Sequence, residues 1–345
     1  MVAVSNREND MIYSFFKNLG GAVAVAAMAA SAAAASEFNI AMGDGRGGTQ
    51  EALGEAFISA LEERTDGAHT AKLFPNGQLG TEQNTVSSMG MGTLDFSILA
   101  ANNIAPFSPQ MGLLTLPYMM LSVEDAQKLT QGEVGQALIE ETIENAGVRV
   151  IAWGYSGFRV FSNSKRPVKT VDDMQGLVVR VPKNEVMIET YRSWGVNPTP
   201  MSWNETFAAL QQGVVDAQDT PYMTIYAMKF NEVQDYITNL RYLFLIEPLV
   251  ISESLFQSLS PEEQEQILAA GRDASAASAS YLKENVVRVQ KELTELGMEI
   301  VDPANDEAEF IERATSAVWP DMVDSVGGKE RLNKALTAMG RAPVE

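Results

Sequence analysis

The sequence predicts an α/β protein of two lobes, and three observations carry that reading. Strand-like apolar runs alternate with helical patterns from Phe38 onward, the arrangement that builds a sheet through right-handed crossovers. A chain of 345 residues, 46% of them hydrophobic, has the length and the core for two domains of ordinary size. A helical pattern then runs from Ser260 to Gly297. At 1.5 Å per residue it reaches roughly 50 Å, far beyond an average helix and long enough to cross both lobes.

The chain opens on a leader. Lys17 precedes Leu19 to Ala35, a run made mostly of Gly, Ala and Val, and Ala33-Ala34-Ala35 fits a cleavage site before Ser36. Residues 1–35 are therefore read as a signal peptide, with Met11 as an alternative start and an uncleaved anchor as the competing reading. The run is too alanine-rich to favour spanning, which takes about 20 strongly apolar residues. The first strand is Phe38–Met42, followed by the glycine-rich turn 43–48. That turn lacks the spacing of a nucleotide fingerprint. Thr49 is placed to cap a helix with Leu53, Phe57 and Leu61 on one face. Ala71–Phe74 is the second strand and Pro75-Asn76-Gly77 a turn.

Thr93–Leu99 reads as a third strand that ends at Ala100-Ala101-Asn102-Asn103. Ser122 with Asp125 opens a helix toward Gly147, and Val148–Trp153 is the next strand, delivering Tyr155, Phe158 and Arg159. Thr170 with Asp173 caps a short helix, and Leu177–Val181 is a strand stopped by Pro182. Ser202 with Glu205 and Ser260 with Glu263 are capping boxes, the second with Pro261 at the first helical position. In the long helix only Gly271 weakens the pattern, and the alanine-rich stretch 269–279 permits close packing.

Composition excludes several functions. A net charge of −20 opposes nucleic-acid binding. With no cysteine there is neither a disulfide framework nor a thiolate metal site. The lone histidine, His69, stands before a strand and reads as surface or structural. No Gly-x-Ser-x-Gly elbow and no histidine cluster occur. Neither a cofactor nor a metal is expected.

The informative stretch is 177–221. Arg180 is a single cation in an apolar strand, and ligands of open α/β sheets bind outside the carboxyl ends of strands. Its planar fork matches a carboxylate with two parallel hydrogen bonds. The competing reading is an edge arginine paired with a surface acid. Gly176-Leu177, Arg180-Val181-Pro182, Pro198-Thr199-Pro200-Met201, Ala209–Gly213 with Val215-Asp216, and Gln218–Pro221 resemble the signature of the extracytoplasmic solute receptors of TRAP transporters. Phe74–Gly80, Leu116-Pro117-Tyr118 and Gly157-Phe158-Arg159 extend the resemblance over most of the chain after the leader.

That resemblance implies a two-lobed periplasmic binding protein fold with mixed, mainly parallel sheets, a hinge cleft and a long helix spanning both lobes. It implies lobe 1 at 36–156 plus about 246–285, and lobe 2 at 157–245 plus about 286–345. It also implies that Arg180 clamps the ligand carboxylate, that Arg159 is a second cation, and that Trp203 is an aromatic wall. Asn102, Gln78, Thr220 and Asp219 are candidate polar contacts, and Arg46 a candidate extra anion contact. Asp219-Thr220-Pro221 replaces the glutamate-asparagine-proline of sialic-acid receptors, and Ala100 and Ala101 replace a glutamate. Sialic acid is therefore disfavoured. The expected ligand is a sugar acid such as a uronate or aldonate, or a C4-dicarboxylate. The expected protein is a periplasmic monomer, not membrane-embedded, that serves a small and a large permease subunit. The alternatives are a secreted enzyme of carboxylate metabolism and a ligand-sensing module for a receptor kinase.

Overall fold

The computed structural model describes residues 36–344; the segment read as a signal peptide lies outside the described residues. The first stretch alternates as β1 (Ser36–Met42), α1 (Thr49–Arg64), β2 (His69–Phe74), α2 (Glu82–Gly90) and β3 (Phe96–Ile98). Helices α3 (Val123–Gln131) and α4 (Glu133–Ala146) lead into β4 (Val148–Asn163). Then come β5 (Arg180–Val181), α5 (Glu185–Ser193), β6 (Thr199–Pro200), α6 (Trp203–Gln211), β7 (Ala217–Pro221) and α7 (Tyr222–Ala227). The chain returns through β8 (Tyr236–Thr238) and β9 (Phe244–Ser252). It ends with α8 (Glu253–Ser258), α9 (Pro261–Glu295), β10 (Glu299–Val301), α10 (Ala308–Met322) and α11 (Gly328–Ala338).

Strand β4 organises the molecule. Its first part pairs with β9, from Val148↔Ser252 to Phe158↔Phe244, and its last part pairs with β7 and β8. The sheet runs β10-β8-β4-β9-β3-β1-β2, so one 16-residue strand belongs to both lobes. Two register shifts, at Val150/Ala152 and at Tyr155/Gly157, let it bend. Gly157 lies at the second with φ +98, a conformation that disfavours any side chain. The sequence reading ended this strand near Trp153. It runs on through Gly154, paired with Glu247, and past the bulge at Gly157 to Asn163.

Helix α9 covers the same strand. Its 35 residues begin at the Ser260–Glu263 capping box with Pro261 in the first turn. Ser275 and Ser278 accept hydrogen bonds from the main-chain N–H groups of Trp153 (2.8 Å) and Tyr155 (3.0 Å). A Cβ at Gly271 would stand 2.0 Å from the carbonyl oxygen of Ile151. The one residue that weakens the helical pattern is thus what allows the helix to lie on the strand. The helix also packs on α1 and α7, joining elements of both lobes.

The core is divided accordingly. Phe57, Phe96, Ile40, Ile251 and Ile267 form one apolar cluster under α1 and α9. Trp194, Tyr191, Tyr242 and Phe310 form another in the second lobe, with edge-to-face ring pairs at 5.0–6.0 Å. Each such fully buried side chain contributes about 1.5–3 kcal/mol relative to exposure.

Several expectations are corrected. The sheets are mixed, but antiparallel pairing has a larger share than strand–helix alternation implied: β4 is antiparallel to β7, β8 and β9, and β3 to β9. The helix after Ser122 is two helices, because Gly132 takes an extended conformation between them. The strand expected at 177–181 is only Arg180–Val181, paired with β6. Among the described residues no helix is long and apolar enough to cross a membrane.

Candidate functional site

Where β4, β5, β7 and α6 face β1, α2 and β9, their charged side chains enclose one space. Arg159, Arg180, Trp203 and Thr220 line it from β4, β5, α6 and β7, and Asp44, Glu82, Asn102, Asn103 and Glu247 line the opposite wall. The space left for the centre of a water molecule is about 20 Å³, little more than one water requires. An organic acid enters only if the two walls separate.

Arg159 lies within β4, opposite Pro221 of β7, with 3% of its surface exposed. Its Nε donates to Asp219 Oδ2 at 2.5 Å and its Nη2 to the Asp219 carbonyl. Tyr242 holds the same carboxylate from behind at 2.6 Å. Burial opposes the charge on Arg159, but the adjacent Asp219 outweighs it and raises the pKa. The pair is an internal ion pair, and Asp219 stands behind the wall rather than in it.

Arg180 differs. It is 1% exposed, and its Nε and Nη2 donate to the Met201 carbonyl at 3.2 and 2.9 Å. Its guanidinium lies 5.3 Å from the Trp203 ring centroid. Among the described residues no carboxylate pairs with it. Burial, then repulsion from Arg159, lowers its pKa to about 10. It therefore stays charged at neutral pH, and a buried charge without a counter-ion is costly.

The opposite wall is acidic. Gln50 fixes it: its Nε2 donates to Glu247 Oε1 (3.0 Å) and Glu82 Oε1 (3.3 Å), while its Oε1 accepts from the Asp44 N–H (3.0 Å). Thr49 Oγ1 donates to Glu247 Oε2 at 2.8 Å, and Asn103 donates to Glu82. Burial, then the charge of Glu247, raises Glu82 to about 7. Burial, followed by repulsion from Glu247 and Glu82, raises Asp44, and burial raises Glu247. Among the described residues no group of three or more His, Cys, Asp or Glu side chains is arranged to hold a metal ion.

Of the residues singled out from sequence, Arg180, Arg159, Trp203, Thr220 and Asn102 come together at this space. Arg46 does not: it is exposed and paired with Glu51. Gln78 is exposed in the turn after β2. Thr49 is not a helix cap, that position being Gly48, because its hydroxyl is used by Glu247 and Ser156. His69 is buried and bonded to Glu263 at 2.9 Å. Sequence reasoning missed Asp44, Glu82 and Glu247. Glu247 had a signal, a lone acid in the apolar run Phe244–Ser252, the mirror image of Arg180.

A bilobal α/β fold closing charged walls over a small space defines a solute-binding protein. Residues 45–325 match the family described as bacterial extracellular solute-binding protein, family 7. The 2,3-diketo-L-gulonate-binding periplasmic protein of Escherichia coli is 30% identical over 80% of this chain and 84% of its own. A TRAP periplasmic solute-binding protein from Polaromonas bound to D-erythronate superposes with TM-score 0.83 at 27% identity, covering 90% of this chain and 100% of that one. A relative from Rhodobacter sphaeroides, described as apo and open, is 34% identical but superposes at 0.72, covering 88% and 98%. The chain belongs to family 7 of the bacterial extracellular solute-binding proteins, the substrate receptors of TRAP transport.

Proposed function

We propose that this chain captures a sugar acid, an aldonate or uronate, with the ligand carboxylate bridging Arg180 and Arg159, and hands it to a two-subunit membrane permease. The observation that carries the reading is Arg180 itself. It is a buried, charged guanidinium with a main-chain carbonyl as partner and no carboxylate, so an anion entering beside it restores the missing pair. The D-erythronate and 2,3-diketo-L-gulonate of the relatives are acids of this class. Family membership and the leader pattern support export to the periplasm. Membership of a family of substrate receptors supports delivery without turnover.

The test is a thermal-shift screen of the purified chain against organic acids. A true ligand at 100 times its dissociation constant adds about 2.7 kcal/mol of stability, which raises the midpoint by several degrees. Arg180→Ala removes the rise while the unliganded protein still melts cooperatively. A full shift in that variant removes Arg180 from the site. NMR of the incubated ligand shows it unchanged.

A further inference from the structure

We propose that the acidic wall of Asp44, Glu82 and Glu247 makes the site selective for acids with a single carboxylate, the far end of the ligand being hydroxylated and uncharged. This rests on the preceding reading, in which one carboxylate meets Arg180. The two cations of the space lie on the second lobe, whereas the three acids lie on the first, on the loop after β1, in the first turn of α2 and in β9. Among the described residues no cation pairs with any of the three acids. Arg159 gives Nε and Nη2 to Asp219 and keeps only Nη1 for the ligand's one carboxylate, and Arg46, the candidate for a second anion contact, pairs with Glu51 outside the site. Dipoles alone hold the acids: Gln50, Thr49 and Asn103 on Glu82 and Glu247, and the Thr224 hydroxyl on Asp44. A carboxylate at the far end of a ligand would enter among like charges, in a poorly screened place.

A hydroxyl suits this wall, since it donates to a carboxylate oxygen that still has lone pairs to fill. A second observation points the same way. Asn102, 1% exposed and lining the space, has both Oδ1 and Nδ2 without a hydrogen-bond partner. A ligand ammonium would satisfy the acids but not an amide donor. A hydroxyl both donates and accepts, and so satisfies an acid and Asn102 together. The resulting ligand has an acid head toward the second lobe and a polyol tail toward the first. It binds both walls and rewards their approach.

The experiment compares acids that differ only in the far end: D-erythronate with meso-tartrate, and galactonate with galactarate, by calorimetry at pH 8 with the purified full chain. In whichever pair the aldonate binds, the doubly charged partner binds roughly 100-fold more weakly. Glu82→Gln and, separately, Asp44→Asn narrow that gap at least ~10-fold, because each removes one of the repelling charges. Each variant's melting curve confirms that it is folded. A diacid that binds the native chain as tightly as its aldonate overturns the inference and leaves the sugar-acid reading standing. So does a gap that neither folded variant narrows. If none of these acids, nor any other sugar acid, shifts or binds the native chain, the sugar-acid reading itself fails.

Discussion

Arg180 is held so that its fork stays incomplete. Nε and Nη2 are anchored on the Met201 carbonyl and the plane rests near Trp203, which fixes the group's direction before any ligand arrives. A lysine at this position keeps the charge but has neither the planar fork nor the same stacking surface. Arg180→Lys should therefore weaken sugar-acid binding by about 10- to 100-fold, the cost of a lost charge-assisted pair, in an isothermal titration. Equal affinity would mean that only charge matters there. Glu82 gives a prediction in pH. Its pKa is about 7 in the folded chain against an ordinary 4.5, raised by burial and then by Glu247. Between those two values the folded chain holds a proton that the unfolded chain has released, so this contribution is complete below pH ~4.5 and fades as pH rises through ~7. A shift of this size corresponds to roughly 3 kcal/mol. In the shut form, held by a saturating sugar acid, this contribution should decline between pH 5 and pH 8, and Glu82→Gln should flatten that decline in the melting midpoint. An equal slope in both proteins would place the titration elsewhere. At this scale the sequence was half legible. A lone arginine in an apolar strand identified Arg180, and the same logic applied to Leu245-Ile246-Glu247-Pro248 finds Glu247. Asp44 and Glu82 carry no such mark, because a loop acid and an acid in a helix's first turn are ordinary solvated residues until another lobe covers them.

At the scale of elements the recurrent device is small residues where a long helix lies on a long strand. Gly271 approaches the Ile151 carbonyl, and Ser275 and Ser278 accept the N–H groups that the bulged β4 leaves free. Helix propensity alone makes Gly271→Ala stabilising by up to ~1 kcal/mol. Here the added methyl meets a backbone atom that cannot swing away, and overpacking of this kind costs about 1–3 kcal/mol. The variant should therefore unfold at a lower denaturant midpoint than the native chain, a sign opposite to that of an exposed helical glycine. An unchanged or higher midpoint would show that α9 can lift off β4 without loss. The long helix was readable from its capping box and periodicity. The full extent of β4 was not, because Gly154 and Gly157 look like ends of a strand in one dimension. Only when β9 is paired alongside does Gly154 become an ordinary ladder position opposite Glu247 and Gly157 the edge of a bulge. The contraction of the expected 177–181 strand to Arg180–Val181 has the same origin, since its ladder depends on a partner of two residues, Thr199–Pro200.

For the whole molecule, the arrangement of charge decides which shape is populated. With the walls together, Arg180 has no carboxylate within ion-pair distance and the three acids have no cation within it, so attraction across the space, as between Glu82 and Arg180, offsets their burial only in part. Moving the lobes apart returns all of these groups to water, which removes the desolvation cost. The ligand-free protein should therefore rest open, and a sugar acid should shut it by pairing with Arg180 while its hydroxyls occupy the acids. A ligand moves an equilibrium only by its differential affinity, and reversing a 1:99 population takes a preference of about 10⁴-fold. Contacts to both lobes at once are what supply such a difference. With only about 20 Å³ left between the walls, the arrangement of the described residues is the shut one. The bulge at Gly157, at the passage of β4 from one set of partners to the other, is where such a rotation can be absorbed with the least loss of ladder bonds. Small-angle scattering of the purified protein should show the radius of gyration falling when saturating ligand is added. Arg180→Ala, lacking the cation that the ligand must meet, should keep the larger radius at the same ligand concentration. If the native protein scatters identically with and without a ligand that calorimetry shows to be bound, the lobes do not separate, and the acid must reach Arg180 by local movement of Trp203 and its neighbours instead.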